Sequence, residues 1–285
     1  MLPERYLILG LDALSRAHAT DYFADGHRGA AIISAYLLCR ECDVGDGAAS
    51  VIADLIDEHW THTDLCAPFP DERPDPASLE RLLTALGDNV GHLRQVGHNV
   101  IFASLALKAF RQFPDAITPS RVDGMCRLIQ AFDFVEDIDL GPDDRLPDFD
   151  DDQAFAEFIL RETLRTMEVF CGRGQGWSGH MLTFGRALMD LRQLGYAELA
   201  RRGQHAFAQY VKRTRMGPLD TDKPRPEHSR SHLLPTRSAY WQARRANPVG
   251  IGHCFKYPYG FYGLVALASD EELTRRCAQE AYRIF

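Results

Sequence analysis

The stretch that decides the fold is Gly97-His98-Asn99-Val100-Ile101, because it begins an apolar segment of about 14 residues whose spacing is helical. The same Gly-His start recurs at three other places, each time followed by an apolar helical segment and then by a more charged one. Successive histidines of this set are 71, 82 and 73 residues apart. The other three starts are Gly26-His27-Arg28-Gly29-Ala30, Gly179-His180-Met181-Leu182-Thr183 and Gly252-His253-Cys254-Phe255-Lys256.

Gly-His dipeptides are more frequent than the composition explains. The chain has five of them, whereas 22 glycines and 11 histidines in random order would give about one. Four of the five are expected to begin the middle helix of a three-helix unit, and such units bury their apolar faces against their neighbours. We therefore predict a single helical-repeat domain over residues 1–285, with units at approximately 1–65, 75–135, 150–215 and 229–285.

Helical spacing also dominates the rest of the chain, and no alternating run is long enough to predict a strand. The predicted fold class is all-α, with four three-helix quasi-repeats. A closed ring of these units would resemble, in architecture, the α/α toroids of several enzyme families, with inner helices around a central pocket. Closure is favoured over an open solenoid because no polar capping unit ends the array. The predicted helices cover 3–18, 27–41, 46–60, 76–88, 98–113, 119–135, 151–170, 180–194, 196–215, 230–245, 253–267 and 270–284.

Composition and charge disfavour several classes of protein. The net charge of −8 disfavours nucleic acid as a partner. No apolar run reaches 18 residues, so we expect no membrane-spanning helix. The first residues lack a basic stretch followed by an apolar core, which favours a cytoplasmic protein over a secreted one. Seven scattered cysteines are then most simply reduced thiols.

Charge is distributed unevenly along the chain. Residues 201–285 carry 15 Lys and Arg against 7 Asp and Glu, whereas residues 1–200 carry 17 against 33. The basic third could bind an anionic ligand or dock on the acidic remainder of the same chain. We favour docking, because opposite charges within one chain usually pair with each other.

The four repeated histidines are the first candidate site. A histidine in the first turn of a helix lies near the positive end of the helix dipole, which disfavours the charged ring. A neutral imidazole is what a metal ligand or a general base requires. If His27, His98, His180 and His253 point inward at one level, they could bind a divalent metal such as iron or zinc, or form an acid–base cluster. The alternative is that each ring only packs against the next unit.

A glycine-rich segment leads into the third of these helices. It runs from Gly172 to His180 and has the spacing Gly174-x-Gly176-x-x-Gly179, but it follows a helix, so it is not a dinucleotide-binding turn. Such a segment could still bind a phosphate or carboxylate at a helix start. The alternative is a flexible hinge that lets a large indole pack. The candidate ligand-binding residues are His27, Arg173, Gly176, Trp177 and Gly179.

The fourth repeated helix carries a lysine among aromatic residues. On a helix, His253, Lys256 and Tyr257 share one face. Lys256 could bind an anion or act as a base or Schiff-base former, and Tyr257 could donate a proton. The alternative is a lysine whose stem packs while its amine reaches water. The candidate catalytic residues are His98, His180, His253, Lys256 and Tyr257.

An enzyme that acts on a small polar or anionic metabolite accounts for most of these features. The reaction would use metal-free acid–base catalysis, as in a lyase, isomerase or hydrolase, or it would take place at a histidine-bound metal, as in an oxygenase. Two alternatives are non-catalytic: a helical-repeat scaffold for a protein or peptide, and a small-ligand binding module. An open groove would favour the scaffold, and buried, inward-facing histidines would favour the enzyme. Oligomeric state is not readable from the sequence.

Overall fold

The computed structural model describes residues 1–245 and 252–285. Within these two ranges the chain forms twelve α-helices and no β-strand, so the prediction of an all-α fold is confirmed. Every helix overlaps one of the twelve predicted helices. The helices are α1 Arg5–Arg16, α2 Tyr22–Glu41, α3 Asp46–His59, α4 Leu79–Gly87, α5 His98–Gln112, α6 Pro119–Ala131, α7 Asp152–Val169, α8 Gly176–Gln193, α9 Ala197–Met216, α10 Ser238–Arg245, α11 His253–Val265 and α12 Glu271–Glu280.

Three helices begin four or more residues away from their predicted starts. Helix α2 starts at Tyr22, five residues early, because the side chain of Asp21 accepts hydrogen bonds from the backbone N–H groups of Phe23 and Ala24. Helix α8 starts at Gly176 rather than at residue 180. Helix α10 starts only at Ser238, eight residues late, because the chain first turns at Pro235, which cannot supply an N–H to a helix.

The four helices that carry the repeated histidines form the buried centre of the described structure. Helix α2 contacts α5, α5 contacts α8, α8 contacts α11, and α11 contacts α2 again. The remaining helices lie outside this set. One example is α1, which packs closely on α2 because both carry glycines at the contact. A Cβ atom on Gly29 would lie 2.6 Å from the backbone nitrogen of Leu14.

The acidic loop between α6 and α7 is held by helix α9. Lys212 Nζ lies 2.8 Å from a carboxylate oxygen of Asp144, and a guanidinium nitrogen of Arg215 donates to the backbone carbonyl of Asp143 at 3.0 Å. Arg213 also donates to the backbone carbonyl of Glu136. These cations of the basic C-terminal third therefore dock on the acidic part of the same chain, which was the favoured alternative for the charge asymmetry.

The last predicted unit, 229–285, is only partly described. Residues 246–251 of that unit lie outside the described residues. Helices α10 and α11 lie on either side of them. Across the described ranges, none of the helices combines the length and the hydropathy that crossing a bilayer requires.

Candidate metal centre

The four repeated histidines meet at one level in the centre of the molecule. Their ring centroids are 4.6 Å apart for His27 and His98, 4.8 Å for His98 and His180, 5.2 Å for His180 and His253, and 4.8 Å for His253 and His27. The diagonal pair, His27 and His180, is 6.3 Å apart. The four rings thus stand at the corners of a quadrilateral, one from each of α2, α5, α8 and α11.

Three of the rings point their Nε2 atoms toward one common position. His98 Nε2 lies 3.0 Å from His27 Nε2 and 3.0 Å from His180 Nε2. The Nδ1 atom of His27 lies 2.6 Å from the carbonyl oxygen of Phe23, and Nδ1 of His180 lies 2.7 Å from that of Gly176. A carbonyl oxygen only accepts, so these Nδ1 atoms carry the proton and both Nε2 atoms present lone pairs. The three side chains could hold a metal ion.

The hydrogen bonding of the other ring nitrogens differs among the four histidines, because their helices begin at different distances before the histidine. His27 and His180 lie in the second turn of their helices and therefore reach a carbonyl oxygen four residues earlier. His98 and His253 are the first residues of their helices and have no such carbonyl. Accordingly, His98 Nδ1 and His253 Nε2 are buried and lack a hydrogen-bond partner among the described residues.

The prediction that every Gly-His dipeptide begins a helix is wrong for two of the four. Gly97 and Gly252 do precede a helix, and both have the positive φ that glycine adopts readily, +89° and +84°. Gly26 and Gly179 lie inside α2 and α8, where they allow close packing instead. A Cβ atom on Gly179 would lie 2.3 Å from the ring of Tyr257. The helix-dipole argument consequently applies to His98 and His253 alone.

Apolar side chains surround the histidines and keep them neutral. The rings of Phe23 and Phe102 lie 4.4 and 5.4 Å from the ring of His27, and Phe132 stacks on His98 at 5.3 Å. Burial lowers the pKa of His180 to about 3 and also lowers the pKa values of His27, His98 and His253 well below the usual imidazole value. Neutral imidazoles with free Nε2 lone pairs are the form that binds a metal.

The histidine level approaches the surface beside His253 and Phe23. His27, His98 and His180 are almost fully buried, but His253 is only partly buried. Phe23, whose ring packs against His27 and His98, is 36% exposed. Of the side chains named around this group, Phe23 and His253 are therefore the ones that contact solvent.

Lys256 and Tyr257 lie next to the histidines, as predicted. Lys256 is fully buried, its amine has no partner in the described structure, and burial lowers its pKa well below the usual value. Tyr257 stacks on the ring of His253 at 4.7 Å, and its hydroxyl oxygen lies 3.3 Å from His180 Nδ1. The alternative in which the Lys256 amine reaches water is wrong, because its exposed fraction is 0%.

The predicted anion-binding segment is engaged with another loop. A guanidinium nitrogen of Arg173 donates to the carbonyl oxygen of Asp222, and Trp177 Nε1 donates to a carboxylate oxygen of Asp222 at 3.0 Å. The Trp177 indole also stacks on Tyr210. Gly176 contributes through its backbone, since its carbonyl oxygen orients His180. Arg173 and Trp177 therefore hold the chain in place beside the histidines instead of facing them.

The sequence analysis missed a polar cluster below the histidines that is buried or partly buried except at Glu41. It comprises Glu41, Lys108, Arg186, Asp190 and Tyr259, from the same four central helices. Lys108 Nζ lies 2.8 Å from Glu41 and 3.1 Å from Asp190, and Arg186 Nε donates to Asp190 at 2.9 Å. Charged residues four apart on an otherwise apolar helix, as Arg186 and Asp190 are, could have revealed it.

A small internal cavity separates this cluster from the histidine level. It offers about 10 Å³ to the centre of a water molecule, which is space for one water, and is lined by Ser34, Thr183, Lys256, Tyr259 and the Arg186–Asp190 pair, together with apolar side chains of α5 and α8. Besides the Lys256 amine, Ser34 Oγ is buried there without a partner among the described residues. The cavity thus has polar groups that can bind water.

Comparisons with known proteins do not extend this description. No protein-family model matches the chain, and neither a curated protein nor a solved structure is significantly similar to it.

Proposed function

We propose that this chain is a metal-dependent enzyme that acts on a small molecule at the four-histidine centre. One observation carries the proposal: three neutral imidazoles present Nε2 at mutual distances that a single ion can bridge, with His98 Nε2 3.0 Å from each of the others. His27 and His180 are oriented by backbone carbonyls in the manner of metal ligands. His253 is the fourth ring around the same point.

The distances favour iron over zinc. Two ligand nitrogens about 2.1 Å from an ion are about 3.0 Å apart at a right angle and about 3.4 Å apart at the tetrahedral angle. The 3.0 Å separations fit right angles, which five- and six-coordinate ions prefer. The all-nitrogen ligand set suits iron as well, because imidazole is among its common protein ligands.

The chemistry we assign to the site is oxygenation. An iron ion with open coordination positions supplies dioxygen activation when bound. The protein's own groups do the rest: Phe23, Phe102 and Phe132 exclude water, and Lys256 holds or releases a proton as an uncharged amine. The substrate is a small molecule with a polar or anionic group and an apolar body, which would meet the site beside Phe23 and His253.

The architecture we propose is the closed ring of four related three-helix units. The cyclic contacts of α2, α5, α8 and α11 and the one histidine from each support it. Because the histidines are buried, they are unsuited to the scaffold function, in which a protein partner would need an accessible groove. The proposal keeps the expectations of a cytoplasmic protein that binds neither nucleic acid nor membranes.

Metal-free acid–base catalysis is the second candidate, because Lys256 is a buried amine without a hydrogen-bond partner in the described ranges. An uncharged lysine amine can accept a proton from a bound substrate. Such an enzyme would be a lyase, isomerase or hydrolase, and it would use Lys256 and Tyr257 without any bound ion.

Elemental analysis of protein purified without chelator or histidine tag separates the two candidates. We expect about one equivalent of iron per chain, or its uptake when Fe(II) is added without air, and loss of that binding in His98→Ala. The matched control is His205→Ala, which removes a half-exposed histidine paired with Asp137 and should retain the metal. If neither iron, zinc nor cobalt binds the parent protein, the metal proposal is wrong and the metal-free candidate takes its place.

A further inference from the structure

The polar cluster below the histidines connects the protein surface with the cavity in which the Lys256 amine lies. Ion pairing within the cluster does not by itself explain this connection. Glu41 is 28% exposed and borders a surface cleft lined also by Thr236 and Tyr262. Asp190 and Tyr259, at the other end of the cluster, line the internal cavity.

The hydrogen bonds of the cluster are continuous from one end to the other. The Tyr259 hydroxyl lies 3.3 Å from a carboxylate oxygen of Glu41 and 3.0 Å from one of Asp190. Lys108 Nζ donates to the same hydroxyl at 2.6 Å. Burial and the neighbouring Asp190 raise the pKa of Tyr259 well above its usual value, so this hydroxyl keeps a proton that it can pass on.

The gap between the cluster and Lys256 has room for one ordered water molecule, and such a water needs two to four polar partners. The cavity provides them: Ser34 Oγ and Lys256 Nζ have no other partner in the described structure, and Asp190 and Tyr259 face the same space. A buried amine without a partner is costly, so a bridging water at this place would stabilise the fold.

We infer that the Glu41–Tyr259–Asp190 cluster and the cavity water form a proton path from the surface to Lys256. A proton binds Glu41, Tyr259 accepts it while passing its own proton to Asp190, and Asp190 delivers one through the water to Lys256 Nζ. Each oxygen forms one O–H bond and breaks another, so one proton is taken up at the surface and one arrives at the amine. The use of these protons at the histidine centre rests on the proposed function.

This path approaches Lys256 from the side opposite to Phe23 and His253. Lys256 and Tyr259 lie three and six residues after His253 on α11, and Glu41 ends α2 fourteen residues after His27. Substrate and protons would therefore use different ends of the helix ring. Separate routes let the apolar side stay dry while the enzyme still exchanges protons with solvent.

The test measures proton exchange at Lys256 in the metal-free protein. The chain has only four lysines, Lys108, Lys212, Lys223 and Lys256, so labelling lysine side chains with ¹⁵N gives four signals, and Lys256→Met identifies the relevant one. We expect Tyr259→Phe to slow exchange of the Lys256 amine protons with water at least about tenfold. Glu41→Gln should slow it as well, because it removes the surface acceptor.

Tyr6→Phe is the matched control. It removes a tyrosine hydroxyl that lies 2.9 Å from Asp57, on a helix outside the central four, and should leave the exchange rate unchanged. Destabilisation cannot imitate the expected result, because local unfolding would speed exchange. Equal rates in Tyr259→Phe and the parent would overturn the path. That outcome leaves the metal proposal intact, because metal binding is measured separately by elemental analysis.

Discussion

At the scale of the residue, one hydrogen bond decides what His27 and what His180 can do. The carbonyl oxygens of Phe23 and Gly176 fix the tautomers of His27 and His180 and thereby aim their Nε2 lone pairs at His98. The sequence identified the histidines through their repeated glycine neighbours. It could not identify these carbonyls, because the relevant helix starts are set by the Asp21 side chain and by the glycine-rich turn before Gly176.

Lys256 allows a prediction at the same scale. Its amine is fully buried without a hydrogen-bond partner in the described ranges, so Lys256→Met should remove a desolvation cost and keep the volume. We expect the free energy of unfolding of the metal-free protein at pH 7 to rise by about 1–3 kcal/mol, measured by urea denaturation. Lys212→Met is the control. The Lys212 amine pairs with Asp144, so this substitution should not raise the free energy of unfolding. A less stable Lys256→Met protein would show that the amine gains more from the cavity water than its burial costs.

At the scale of the element, the helix starts at Gly97 and Gly252 bring histidines into the centre. Each glycine combines a positive φ with a close neighbour: a Cβ atom would lie 2.4 Å from the ring of Phe184 at Gly97 and 2.3 Å from Ala31 Cβ at Gly252. Sequence periodicity found these two helices correctly, since the glycine, the histidine and the apolar run coincide there. It failed at α10, where Pro235 delays the helix.

These two glycines allow a prediction at the element scale. Gly97→Ala and Gly252→Ala should each lower the free energy of unfolding by about 2–4 kcal/mol, because backbone strain and overpacking add. Gly195→Ala is the control: Gly195 also has a positive φ, +96°, but no atom lies within 4 Å of the position of its Cβ, so about 1 kcal/mol is expected. Equal losses at all three positions would show that the close contacts contribute nothing.

At the scale of the whole molecule, the central arrangement combines two kinds of buried polar layer. The histidine level is uncharged, whereas the Glu41–Lys108–Arg186–Asp190 group carries paired charges. The repeat spacing predicted that the histidines would lie at one level. The second layer was not predictable in the same way, because its residues do not recur from unit to unit and only the packing of α2, α5, α8 and α11 brings them together.

The uncharged histidine level makes the stability of the metal-free molecule depend on pH. In the folded chain the four rings stay neutral down to low pH, since burial depresses their pKa values, to about 3 for His180 and well below the usual imidazole value for the others. In the unfolded chain they bind protons below about pH 6.5. The unfolded state thus takes up more protons as the pH falls, so the free energy of unfolding decreases below pH 6.5.

The expected decrease between pH 6.5 and 5.5 is about 1 kcal/mol for each ring, or about 4 kcal/mol in total. Urea denaturation of chelator-treated protein at the two pH values measures it. His180→Gln should remove about a quarter of the decrease, whereas His205→Gln, at a half-exposed histidine, should leave it unchanged. A decrease of less than about 1 kcal/mol would mean that the folded chain protonates these rings, and such a chain could not hold all four as neutral metal ligands.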